Sequence, residues 1–478
     1  MNVLAELLLG PGRRRPNLPV ITDQFGVVHT NAELDARSSQ LARAFIALGV
    51  QPGDRVAVQV GKSFDLVALH VGALRAGAVY LPLNASYTER EVSDLMDDAT
   101  PALLIRDAEL EHPVRRLTAD ELAALADGAE SRFSDVPRSV DDPASILYTS
   151  GTTGRPKGAV LSHGNLAASA TTLVNAWQFS ADDVLLHMLP LFHIHGLYVA
   201  LYSTLASGSS AIFVDKFDAP RIASLLPQAT VVMGVPTHYT RLLDEPSFSR
   251  EAAQHVRLFT SGSAPMLVST HDEFTARTGQ IILERYGMTE TGMLASNPYD
   301  GIRKPGLVGP PLPGVSIRIA GTETGEIQVR GANVFAGYWK RPELRATEFT
   351  EDSWFRTGDL GRFDEDGYLE IVGRSKDLII SGGLNVYPKE IEMVIDEFEG
   401  VLESAVIGLP DPDFGEAVIA VVVAEPGVTL QSAELRELAK SQLAGFKVPK
   451  RFHIVDALPR NTMGKVEKAK LRQQFADS

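Results

Sequence analysis

Apolar residues recur at helical spacing over residues 31–49 (Leu34, Leu41, Ala44, Phe45, Leu48), and Gly49 closes the stretch. Steps of three and four place them on one face, which predicts an amphipathic helix. A short apolar run at 55–60 then reads as a strand. A helix over 65–77, a strand over 78–83, a helix over 89–97 and a strand over 102–105 follow. Helical periods alternating with short apolar runs predict a parallel sheet covered by helices. Residues 107–143 are polar and acidic and read as a connecting region. The alternation resumes with helices at 165–177, 196–206, 219–226 and 237–243. Strands are predicted at 183–189, 210–213, 231–235, 257–262 and 280–285. From 308 to 372 the pattern changes to short β runs with Gly and Pro turns, as in a small barrel or distorted sheet. Beyond Arg374, strands at 378–381, 401–408, 416–423 and 451–455 and helices at 388–397 and 432–443 form a compact α+β unit. The expected fold is α/β: a large N-terminal domain of layered α/β sheets with a small β-barrel-like part (1–375), then a small α+β domain (376–478).

A chain of 478 residues is long enough for such a division. With 45 basic against 60 acidic residues, its net charge is −15, which disfavours a nucleic-acid binder. The absence of cysteine excludes disulfides, thiolate metal sites and an enzyme-cysteinyl thioester. The apolar run from Val3 to Leu9 precedes the basic cluster Arg13–Arg15, the reverse of a secretory signal. His187, Pro190, His193, His195 and Gly196 interrupt the most apolar region, which therefore reads as buried core and not as a membrane span. A cytoplasmic protein is expected.

Chemistry concentrates at Tyr148–Thr149–Ser150–Gly151–Thr152–Thr153–Gly154–Arg155–Pro156–Lys157–Gly158, between two apolar runs. Glycines let backbone N–H groups turn toward an anion, hydroxyls add donors, and Lys157 adds charge. A polyphosphate fits this loop. The Walker pattern does not, because Lys157 is followed by Gly158 and no Ser/Thr opens a helix.

This loop resembles that of the adenylate-forming enzymes: acyl-CoA synthetases, luciferases and adenylation domains. Later motifs extend the resemblance over nearly the whole chain. It implies that Thr149, Ser150, Gly151, Thr152, Thr153, Gly154 and Lys157 hold the ATP phosphates. Ser263–Ala264–Pro265 and Arg285–Tyr286–Gly287–Met288–Thr289 then match the adenine and AMP stretches, and Glu290 the Mg²⁺ carboxylate. Asp359 and Arg374 are implied to hold ribose, and Lys376 to act as hinge. Lys465, in Leu458–Pro459–Arg460–Asn461–Thr462–Met463–Gly464–Lys465, is implied to stabilise charge when a carboxylate attacks the α-phosphate. The C-terminal domain would then rotate and present Gly382 and Gly383 to a pantetheine thiol, giving thioester and AMP. Acylation of Lys465 by a lysine acyltransferase would switch the enzyme off.

His193, in Pro190–Leu191–Phe192–His193–Ile194–His195–Gly196, matches the family's gate beside the acyl site. Arg285 suggests which acid occupies that site. A guanidinium is costly to bury against an alkyl chain, whereas a second carboxylate pairs with it bidentately. Arg241 is a second candidate cation. The run from Glu284 to Glu290, with Asn385–Val386–Tyr387–Pro388–Lys389–Glu390, resembles malonyl-CoA synthetases. The expectation is a ligase taking malonate, ATP and CoA, with methylmalonate as a further acid. Alternatives are a ligase for a monocarboxylic acyl or aryl acid, an adenylation enzyme loading a carrier protein, and a catalytically silent nucleotide binder. Arg285 could also pair with Glu284 and serve only structure.

Overall fold

The computed structural model describes residues 1–149, 156–381, 384–411, 414–461 and 464–476. The chain forms two compact units: Met1–Ile317 with Val329–Phe355, and Arg318–Gln328 with Arg356–Ser478.

The first unit contains two largely parallel sheets. One runs in the order Arg116–Leu117, Leu103–Arg106, Arg55–Gln59, Val79–Pro82, Pro143–Thr149, Lys157–Ser162. Its last two strands are antiparallel, with Thr149 opposite Lys157. The second runs Gly292–Ser296, Leu283–Met288, Leu258–Ser261, Val231–Gly234, Val184–His187, Ser210–Phe213, Pro19–Thr22, Val28–Thr30. It is parallel through its centre and antiparallel at both edges. The central strands Val231–Gly234 and Leu258–Ser261 are buried throughout, and most of their residues are apolar. Leu186, Val232 and Phe259 pack with Tyr239 and Phe274 in one core cluster. Ligands of such sheets bind beyond the carboxyl ends of parallel strands, and the strand ends at Ser261, His187 and Gly234 lead into the loops described below.

The predicted helices lie close to their expected positions. The first spans Asn31–Ala47, with a capping box between Thr30 and Glu33 at its start. Two expectations need correction. The connecting region contains the strand Arg116–Leu117 and a helix, Ala119–Asp127, capped by Thr118. Only Leu122 and Ala126 of that helix are buried, too narrow a stripe to stand out in an acidic stretch. The helix expected at 196–206 begins as a π-helix, His195–Leu201, before the α-helix Tyr202–Ser207.

The barrel-like stretch is an open four-stranded sheet among the described residues, ordered Val315–Ala320, Gly325–Gly331, Phe355–Phe363, Leu369–Arg374. Most of it belongs to the second compact unit, so the contact division falls earlier in the chain than residue 375. That unit also holds a five-stranded sheet built on the long pair Val401–Asp411 and Gly415–Ala424. One face packs on Ile391, Ile395 and Leu435, the other on Leu458 and Leu471. The helix Lys468–Gln474, not expected from the sequence, supplies Leu471.

Candidate active site

Thr149 ends the strand that leads into the polar loop. Ser150–Gly154 lie outside the described residues. The Thr149 hydroxyl lies 3.4 Å from the Lys157 carbonyl and 3.5 Å from Glu290 Oε1. Glu290 is buried, in the turn after Leu283–Met288, and Tyr338 donates its hydroxyl to Oε1 at 3.0 Å. Lys157 pairs with Glu348 at 2.9 Å, its ammonium 5.1 Å from the Tyr338 ring centroid. Thr149, Lys157 and Glu290 are thus brought together, with Tyr338 and Glu348 added by the fold. Glu290, Thr149 and Tyr338 offer only oxygen, which suits Mg²⁺. No group of three or more His, Cys, Asp or Glu side chains could hold a metal among the described residues. A hard cation here would therefore complete its shell with phosphate oxygens and water, the usual habit of Mg²⁺.

The strand Leu283–Met288 is buried at Leu283, Glu284 and Arg285 and half-buried from Tyr286 onward. A bulge between Tyr286 and Gly287 shifts its register with Gly292–Ser296. A Cβ on Gly287 would lie 2.2 Å from the Gly292 carbonyl oxygen, so only glycine permits this pairing. Thr289 follows in the turn, and Met288 ends the strand. Ser263 is half-buried with φ +71°, while Ala264 and Pro265 are exposed.

Arg285 is 3% exposed, and its Nε and Nη2 are buried without a hydrogen-bond partner. Burial lowers its pKa to about 10, with Tyr239 acting in the opposite direction. Glu284 instead accepts from the Gly306 backbone N–H at 2.7 Å. The guanidinium lies flat against Gly262, where a Cβ would sit 2.3 Å from Nη1. The absent side chain at Gly262 thus makes room for Arg285. Arg241 is exposed on the helix Pro236–Leu243. Tyr239 of that helix is buried and donates to the Thr260 carbonyl at 2.5 Å; burial raises its pKa and Arg285 opposes the rise.

His193 is half-buried, and its Nδ1 accepts from the His195 backbone N–H at 3.3 Å. Behind this turn lies a lysine that sequence reasoning missed. Lys62 Nζ donates to the carbonyls of His187, Leu189 and Val214 at 2.7, 3.1 and 3.0 Å and meets His187 Nδ1 at 2.9 Å. Burial lowers its pKa to about 7, against the attraction of Asp215. His187 Nε2 in turn lies 2.9 Å from the Gly196 carbonyl. A carbonyl can only accept, so the imidazole proton sits on Nε2 and Nδ1 is left an acceptor, one of four that share the three ammonium protons of Lys62. The only sequence signal was Gly61–Lys62–Ser63 between a strand and a helix, which is ordinary loop composition.

In the second unit, Arg374 Nε lies 2.8 Å from Asp359 Oδ1, and the two residues are opposite each other in the register of antiparallel strands. Asp359 is buried and Arg374 exposed. Lys376 is exposed in the 3₁₀ turn Ser375–Asp377. Gly382 and Gly383 lie outside the described residues. Lys465 is exposed, in a loop closed by Asn461 N–H to the Lys465 carbonyl at 2.9 Å and Lys465 N–H to Asn461 Oδ1 at 3.0 Å.

Residues 11–339 match the family model described as AMP-binding enzyme, and 390–465 match the AMP-binding enzyme C-terminal domain. A malonate–CoA ligase of Arabidopsis thaliana is 36% identical, over 91% of this chain and 80% of its own. A feruloyl-CoA synthase of an Amycolatopsis species is 37% identical, over 94% of both chains. The crystal structure of ATP-bound MatB from Rhodopseudomonas palustris superimposes with a TM-score of 0.95 at 49% identity, covering 99% of each chain.

Proposed function

This chain belongs to the AMP-binding enzyme family, and on that premise we propose that it is an ATP-dependent malonate–CoA ligase. The carrying observation is the Arg285 guanidinium, buried with Nε and Nη2 unpartnered. An unpaired buried charge costs several kcal/mol, which a carboxylate on the substrate offsets. A 2-methyl group leaves both carboxylates in place, so methylmalonate falls in the same class. The malonate–CoA ligase among the relatives supports this reading. The feruloyl-CoA synthase keeps an aryl acid as the rival.

The reaction has two steps. A malonate oxygen attacks the α-phosphorus of ATP, the bond to pyrophosphate breaks, and malonyl-adenylate forms. A pantetheine thiolate then attacks the acyl carbon, the bond to AMP breaks, and malonyl-CoA leaves. In the first step Thr149, the loop through Gly154 and Lys157 hold phosphates. Tyr286 and Ser263–Pro265 flank adenine, Asp359 and Arg374 hold ribose, and Lys465 stabilises the developing charge. Glu290 holds Mg²⁺, which, when bound, neutralises phosphate charge. His193 gates the acyl pocket, and Gly382 and Gly383 admit the pantetheine arm. Acylation by a lysine acyltransferase would remove the Lys465 charge. Among the described residues no helix is long and apolar enough to cross a membrane, and we place the enzyme in the cytoplasm.

Pyrophosphate release that requires malonate but not CoA, with AMP and thioester appearing only when CoA is added, is the expected signature. Release that is absent without CoA would contradict the adenylate. A hinge at Lys376 adds a further expectation. Proline fixes φ, so Lys376→Pro should leave adenylation within about threefold of wild type and lower thioester formation at least tenfold. Equal rates for both half-reactions in this variant would move the hinge elsewhere.

A further inference from the structure

We infer that Tyr338 is a positioning residue of the ATP site with two separate duties, its hydroxyl orienting the metal carboxylate Glu290 and its ring face seating the ammonium of the phosphate lysine Lys157. This rests on the roles proposed above for Glu290 and Lys157 and names a residue which that reading leaves unassigned.

The two contacts come from different parts of one side chain. The hydroxyl donates to Glu290 Oε1 at 3.0 Å, and the Thr149 hydroxyl lies 3.5 Å from the same oxygen. Hydrogen bonds made from outside a metal's own ligands hold a ligating carboxylate in one orientation, and their loss typically lowers metal affinity about ten- to a hundredfold. The Lys157 ammonium lies 5.1 Å from the ring centroid, close enough for a cation to be drawn to an aromatic face. Glu348 pairs with the same ammonium at 2.9 Å. An ammonium carries three protons, so this pair leaves donors for a phosphate.

The chain around Tyr338 is fastened to both groups it serves. Tyr338 forms an antiparallel bridge with Ala159, and Trp339 N–H donates to the Gly158 carbonyl at 2.7 Å. These contacts join it to the strand that begins at Lys157. On the other side, Phe335 N–H donates to the Glu290 carbonyl at 2.9 Å, and the Asn333 side chain donates to the Thr291 and Met293 carbonyls. The Phe335 ring meets the Tyr338 ring edge-on, with centroids 4.9 Å apart. Further along, Asp98 accepts from Arg341 at 2.7 Å and from Tyr148, next to Thr149, at 2.6 Å. All of these residues lie in the first compact unit. Tyr338 is thus held between the lysine and the carboxylate, with a different group of its side chain turned to each.

The test measures ATP binding by calorimetry, without acid or CoA, in saturating Mg²⁺ and again in EDTA. Wild type, Tyr338→Phe, Tyr338→Leu and Glu290→Gln are compared, with thermal unfolding followed in parallel. Phenylalanine keeps the ring and removes the hydroxyl; leucine removes both. Tyr338→Phe should raise the ATP Kd about tenfold in Mg²⁺ and leave it within about twofold of wild type in EDTA. Tyr338→Leu should show that loss and also a rise of roughly two- to fivefold in EDTA, the scale of one cation–π contact. A role in packing alone would weaken binding equally in both conditions. That result in Tyr338→Phe overturns the inference, as does wild-type affinity in Mg²⁺. Equal Kd values in EDTA for the two Tyr338 variants overturn the duty assigned to the ring. If Glu290→Gln loses the Mg²⁺ effect and Tyr338→Phe keeps it, only this inference falls. If Glu290→Gln keeps it, the reading of Glu290 as the metal carboxylate falls too.

Discussion

Lys465→Ala should lower ATP-dependent malonyl-adenylate formation by about three orders of magnitude, while thioester formation from supplied malonyl-adenylate and CoA stays within a few-fold of wild type. Removing one preorganised donor from a site of developing charge costs about 10²–10³ in rate, and loss of a full cation belongs at the upper end. The residue is exposed, and its loop is closed by Asn461 through the Lys465 backbone, which alanine retains. The loss should appear in kcat of the first half-reaction, and thermal unfolding followed in parallel separates it from any change in folding. Separate assays of the two half-reactions check this. Equal loss in both would show that Lys465 does not act on adenylation alone.

Arg285→Ala should lower malonate kcat/KM by two to three orders of magnitude and leave short monocarboxylates far less affected. Removing one partner of a buried charge pair costs about 3–5 kcal/mol, and each tenfold in rate is about 1.4 kcal/mol. The second carboxylate of malonate must leave water to enter the pocket, and in the proposed reading the guanidinium offsets this. Among the described residues no carboxylate is paired with its Nε or Nη2. The variant therefore loses no internal ion pair at these atoms and should gain stability, since a costly unpaired charge is removed. Lysine at 285 should rescue only in part, because an ammonium lacks the planar fork. Steady-state kinetics on malonate and butyrate, with thermal unfolding, check both halves.

What could be read in advance follows from the range of the interactions. Helices such as Asn31–Ala47 were legible because period, cap and stop are local. The loop at 148–158, Glu290 and Lys465 stand out in the sequence because each sits in a contiguous run. Chemistry made by distant contacts does not. Lys62 meets His187 across 125 positions, and nothing near either residue announces the other. Tyr338 and Glu290 are 48 positions apart. Gly262 carried a signal, a small residue after a strand, but its purpose was visible only once Arg285 lay against it. The π-helix at His195–Leu201 escaped because apolar periodicity does not distinguish a wide turn from an α-helical one. Arg241 was proposed from its place in a helix after a strand; the helix turns it to the surface and turns Tyr239 inward.

The central claim is that this pocket is built for an acid with a second carboxylate. The most direct measurement is the competition of malonate, butyrate, hexanoate and coumarate for ATP-dependent thioester formation by the wild-type enzyme, read as the ratio of kcat/KM values. Malonate ahead of every monocarboxylate by at least about a hundredfold, the scale of one buried charge pair, is the result the account predicts. Hexanoate or coumarate turned over as well as malonate or better would contradict it.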